Sequence, residues 1–191
     1  VSRRLINFTY IRPEAIAEYA TLSEGDKNAV DGLHADTEPL NGDSQLIDRD
    51  AMWRSKMHAL WIIFKAGRTA ERQSVFDQFK ADCGSDLEAY ATWCLCYDKW
   101  GAPNGEESNW ERKFNRNSPE IANLRKQYPD TLDFYRWLEW IAAEQLSSAQ
   151  QAAKDAGMHI GIMSDMAVGV HPSGADVWWN PERFAKGATV G

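Results

Sequence analysis

The stretch from Asp130 to Ala156 constrains this chain most. Phe134, Trp137, Leu138, Ile141, Ala142, Gln145, Leu146 and Ala149 recur there at helical spacing, a broad apolar stripe with one polar member. Asp130 or Thr131 can cap the helix, and Gly157 ends it. The pattern then changes at once. Met158 to Val170 is apolar, with Ile160, Ile162 and Val168, and reads as a strand kinked near Asp165. A long helix followed directly by such a run is half of a βα repeat. No second convincing central strand occurs, and one parallel strand cannot make a sheet. The chain therefore reads as part of something larger, and Val1 and Gly191 read as cut ends.

Upstream, helices dominate. Val1 to Ile11 reads as extended and Pro13 to Tyr19 as a short helix. Thr21 to Leu46, rich in Gly, Asp, Asn and Ser, reads as a long surface loop. Asp48 to Lys65 is a strong helix, with Met52, Trp53, Met57, Leu60, Trp61 and Phe64 on one face and Gly67 as its stop. Thr69 to Asp82 is the next, with Val75, Phe76 and Phe79 inward and Gly84 closing it. Ser85-Asp86-Leu87-Glu88 has the form of a capping box for a third, running to Gly101. Ala102 to Asn117 reads as a polar loop holding Trp110 and Phe114, and Ser118-Pro119-Glu120 starts a short helix that Pro129 breaks.

Composition excludes several classes. The net charge of -7 lacks the basic stripe of a nucleic-acid binder. No run of about 18 apolar residues marks a membrane span, and the N-terminus is no signal peptide. Cys83, Cys94 and Cys96 have the wrong spacing for a redox or zinc pair and read as free thiols of a cytoplasmic protein.

Little in the chain has the pattern of a catalytic site. His34, His58, His159 and His171 are scattered, with no metal-ligand spacing. No G-x-S-x-G surrounds Ser2, Ser164 or Ser173, and the glycines form no phosphate-binding loop, so no cofactor is implied. Glu139 and Glu144 diverge on their helix and read as solvated or capping. Trp53, Trp61, Trp93, Trp137 and Trp140 read as core, leaving Trp110 and Trp179 as exposed platforms for a sugar. Asp165 stands apart, since a lone charge inside an apolar run is costly to bury. Either it pairs with a cation, or it sits at a strand end facing an opening, where barrel enzymes place functional residues. The residues alone leave both readings open.

Several segments carry a likeness. Ser2-Arg3-Arg4, Asn7 and Tyr10-Ile11 resemble the S-R-R-x-x-N-x-x-Y-I segment of amylomaltases, glycoside hydrolase family 77. Leu46-Ile47-Asp48-Arg49-Asp50-Ala51, with Lys56, Ala59 and Leu60, resembles a helix start of that family. Asp133 to Trp140, followed by Glu144-Gln145-Leu146, is similar to another of its segments. The best match is Ile160 to Val170, continuing through Gly174-Ala175-Asp176-Val177-Trp178 to Ala188-Thr189-Val190-Gly191. Thr21 to Leu46 matches no motif. Met166 departs from the proline or leucine that often follows the aspartate in the family.

The resemblance implies a 4-alpha-glucanotransferase acting on maltooligosaccharides or α-1,4-glucans through a retaining, covalent mechanism. It implies a mainly α chain, with residues 1–129 an extended segment and helical insertion subdomain. Residues 130–191 would be part of a (β/α)8 TIM-barrel catalytic domain, contributing a barrel helix, the third strand and its loop. Asp165 then falls on a strand-end aspartate that contacts bound sugar, and Asn7 and Tyr10 fall near the mouth of the site. The motifs R-I-D-H, G-E-D-L-G and T-H-D, which carry the family's carboxylates, are absent from this sequence, so no residue here is assigned a catalytic role. The alternative is an independent helical interaction module. An orphan strand also implies self-association.

Overall fold

The computed structural model describes residue 2 and residues 4–42, 47–103, 108–165 and 168–185. Its contacts divide the chain into two units, one spanning Phe8–Phe76 and the other Val1–Asn7 with Asp77–Gly191. Every regular element among the described residues is helical.

In the Phe8–Phe76 unit, three short 3-10 turns (Phe8–Tyr10, Pro13–Ala15 and Ala17–Thr21) lead into α1, Glu24–Thr37. The expected extended start thus curls into turns at its end. The expected loop from Thr21 to Leu46 is largely α1 and a 3-10 turn at Glu38–Gly42, with residues 43–46 outside the described set. The physical reason is local. The Ser23 hydroxyl accepts the Asp26 N–H at 3.1 Å, capping a helix that buries only Val30 and so lacks an apolar stripe. α2, Arg49–Ala66, packs on α1. Asp48 caps it by accepting the Ala51 N–H at 2.9 Å, and Gly67 closes it at φ 83°. Ile11, Ile16, Val30, Leu60, Ile63 and Phe76 form the core. Val75, expected inward, is exposed. Glu18 is buried and held by the Arg72 guanidinium at 2.8 Å.

The boundary between the units falls inside α3, Ala70–Trp100. Gly84, at φ 52° and ψ -130°, breaks its helical geometry where the sequence places a stop. The expected capping box does not form in the expected way. The Glu88 carboxylate instead accepts Arg125 at 2.6 Å and Arg136 at 2.8 Å through each oxygen. α4 (Trp110–Lys113), α5 (Pro119–Gln127), α6 (Pro129–Asp155) and α7 (Ala175–Trp179) follow. Leu87, Leu95, Ile121, Trp137, Leu138 and Ile141 are fully buried among them. Pro129 starts α6 at its first turn, where its missing N–H costs nothing. No helix of the described residues is long and apolar enough to cross a membrane.

Among the described residues of Met158–Val170 there is no strand, contrary to expectation. α6 closes as the sequence predicts. Gly157 takes φ 92°, its N–H bonds Lys154 O, and Met158 N–H bonds Ala153 O, a Schellman closure. Beyond it, no described residue of the run pairs in a β-ladder. A strand exists only as a member of a hydrogen-bonded ladder, and no other strand is present among the described residues to supply one.

Candidate functional site

Asp165 lies on the irregular, exposed segment after α6, and its carboxylate forms no hydrogen bond or ion pair among the described residues. The segment is fastened three residues earlier. The Gln150 side-chain amide donates to Ile160 O at 2.9 Å and accepts the Ile162 N–H at 2.6 Å. This clasp needs Gly161. Its φ of +81° disfavours any side chain, and a Cβ there would stand 2.5 Å from Gln150 Oε1. Met166, the departure from the family pattern, lies outside the described residues, as does Arg3.

The same unit holds an aromatic hub. Trp110 sits edge-on to Trp93 and Trp178, with ring centroids 6.2 and 5.5 Å away. All three indole N–H groups donate to carbonyls: Trp93 to Ser173 O, Trp110 to Gly101 O, and Trp178 to Phe114 O. Aromatic area and satisfied polar edges together make this a structural lock. Trp110, expected to be an exposed sugar platform, is 3% exposed. Trp179 is half-buried, with Arg116 over its ring and donating to its carbonyl. A groove of 400 Å³ opens beside the hub, between Glu111, Arg112, Phe114, Pro172 and Trp178.

The Phe8–Phe76 unit carries a second groove, of 430 Å³, with the Tyr10 ring exposed at its edge and Ile11, Val30 and Met52 in its wall. Arg12 and Glu14 pair there at 2.9 Å. Burial pushes the Glu14 carboxyl up, but hydrogen bonds from its own backbone and from Arg12 outweigh it and leave it lowered. Lys56 donates to Thr9 O, and burial lowers its ammonium, with Glu14 partly opposing. Asn7 belongs to the other unit.

Glu139 is the group that the sequence reading misplaced. Expected to be solvated or capping, it is 2% exposed. One carboxyl oxygen accepts the Ile6 N–H at 3.1 Å, and the other is buried with no hydrogen-bond partner among the described residues. Burial raises it to about 8, against the lowering effect of the Ile6 N–H. The signal lay in Trp137-Leu138-Glu139-Trp140-Ile141, an acid enclosed by large apolar residues. Glu144 is half-buried. Cys94 and Cys96 are buried and Cys83 partly so, and burial raises all three thiols. Among the described residues no three His, Cys, Asp or Glu side chains converge as a metal site would require.

Comparison with known proteins follows the whole chain. A family model described as 4-alpha-glucanotransferase, glycoside hydrolase family 77, matches residues 1–191. The 4-alpha-glucanotransferase of Mycobacterium tuberculosis is 36% identical over 191 residues, covering all of this chain and 26% of that protein. The corresponding protein of Haemophilus influenzae is 25% identical over 204 residues, again covering all of this chain and 29% of its own length. The crystal structure of amylomaltase from Corynebacterium glutamicum superposes with a TM-score of 0.73 at 35% identity, over 92% of this chain and 23% of the other. The chain thus spans between a quarter and a third of the curated relatives it matches.

Proposed function

The chain belongs to the 4-alpha-glucanotransferase family, glycoside hydrolase family 77, and on that premise we propose that it is part of an enzyme that moves α-1,4-glucan segments between maltooligosaccharides. The observation that carries this reading is the match over all 191 residues, joined by a structural likeness at 35% identity. A retaining transfer needs two carboxyl groups roughly 5–5.5 Å apart, one as nucleophile and one as acid/base. The family motifs that carry them are absent from this sequence, so the chemistry belongs to other parts of the enzyme and this chain alone is inert.

Within that enzyme, residues 1–129 form an N-terminal segment and the helical insertion subdomain, and 130–191 a portion of the barrel. Met158–Val170 becomes a barrel strand once neighbouring strands supply its ladder, and Asp165 then contacts sugar near the cleavage point. The exposed Met158, Ile160, Met163 and Val168 support this reading over a self-contained module, whose apolar faces would be closed. A cytoplasmic location fits the unpaired cysteines.

The test is Asp165→Ala in the longer protein. A charge-assisted hydrogen bond to a sugar hydroxyl contributes about 1.5–3 kcal/mol, so kcat/KM for maltotriose disproportionation falls by roughly 10- to 150-fold. An unchanged kcat/KM removes Asp165 from the site.

A further inference from the structure

We infer that Glu139 is a proton-controlled latch that fastens the N-terminal strap, Ser2 with Arg4–Asn7, onto α6. Three contacts bear on the latch. Two are outer: the Ser2 hydroxyl donates to Asp176 at 2.7 Å, and Arg4 pairs with Asp86 on α3. The Arg4–Asp86 pair is about half exposed, so solvent screens it and its hold is weak. The third is inner. The half-buried Ile6 N–H reaches the Glu139 carboxyl, which is itself buried.

That site suits a neutral carboxyl. One oxygen serves Ile6, and the other is buried without a partner among the described residues, a place no carboxylate holds comfortably. The groups around it offer little compensation. From α3 come Cys83, Tyr90 and Cys94, each of which the Glu139 charge helps to push up, together with Asp86. From α6 itself come Tyr135, near Tyr90, and Arg136, which is engaged by Glu88. From the strap comes Arg4, engaged by Asp86. Both arginines are committed elsewhere.

The sign follows from linkage. With the strap closed, the carboxyl keeps its proton up to about pH 8, whereas in water it titrates near the ordinary 4.5. Opening therefore releases a proton between those values. The opening constant rises about tenfold per pH unit from about 4.5 to about 8 and is flat above. The latch is tight in acid and loosens toward alkaline pH. This holds whether or not the glucanotransferase reading does.

The test is amide hydrogen exchange of the 191-residue chain by NMR, expressed as protection corrected for intrinsic rates, from pH 5 to 9. Protection of the Ile6 amide falls about tenfold per unit and levels above pH 8. In Glu139→Gln, which keeps an acceptor oxygen and the shape but cannot ionise, it stays level. In Asp86→Asn it drops by one factor at every pH and keeps the wild-type slope. The same slope in wild type and Glu139→Gln overturns the latch. So does loss of protection at Ile121 and Leu138 in step with Ile6, since the proton would then belong to global unfolding.

Discussion

Removing the Glu88 carboxylate tests how the helices of the Asp77–Gly191 unit are joined. Glu88 on α3 receives Arg125 from α5 and Arg136 from α6 in three charge-assisted bonds of 2.6, 2.8 and 2.8 Å. Its side chain is 29% exposed, Arg136 19% and Arg125 34%, so the group is neither dry nor freely solvated. Breaking a buried pair by deleting one partner costs about 3–5 kcal/mol. Partial exposure reduces this, and Asp133 near Arg136 offers a second acceptor at 3.4 Å. Glu88→Ala is therefore expected to cost about 2–3 kcal/mol. Glu88→Gln, which keeps one acceptor oxygen, costs about half as much. Asp86→Ala, which removes only the exposed Arg4 pair, costs about 0–1 kcal/mol. Urea unfolding followed by tryptophan fluorescence measures all three, because most of the nine tryptophans lie in this unit. A Glu88→Ala loss below about 0.5 kcal/mol, or one equal to that of Asp86→Ala, refutes the reasoning.

Two further outcomes follow from the segment after α6. Gly161→Ala forces a side chain into a positive-φ position at about 1–2 kcal/mol and displaces the Gln150 clasp. The cost is local, so protection of the Ile162 amide drops about tenfold or more while the unfolding midpoint barely moves. Unchanged protection contradicts the clasp. The exposed Met158, Ile160, Ile162, Met163 and Val168 predict self-association of the isolated chain. Sedimentation velocity shows a mass that climbs with concentration, whereas a constant monomer at every concentration contradicts it.

The sequence made most legible those elements whose signals are local. α2 and α6 carry apolar stripes, an Asp48 cap and stops at Gly67 and Gly157, and each forms nearly as read. α1 escaped notice because a solvated helix with one buried residue has no stripe to detect. Only Ser23 and Asp26, three apart, marked its start. Trp110 was hidden by polar neighbours, since its burial depends on Trp93 and Trp178, distant in the chain. Glu88 followed the capping pattern, but two arginines from other helices compete successfully for its charge. The Met158–Val170 run has the composition of a strand, and composition cannot supply the ladder. Asp165 was singled out by its cost inside an apolar run and by resemblance, and its proposed contact depends on groups outside this sequence.

We propose that these 191 residues belong to a glucanotransferase whose chemistry is done by other residues of the same protein. Incubating the purified chain with maltotriose, beside the longer protein, and resolving the products measures it most directly. Glucose and longer maltooligosaccharides are expected from the longer protein and none from the chain. Disproportionation by the chain alone would mean that carboxylates within it perform the transfer, contradicting the assignment of the site.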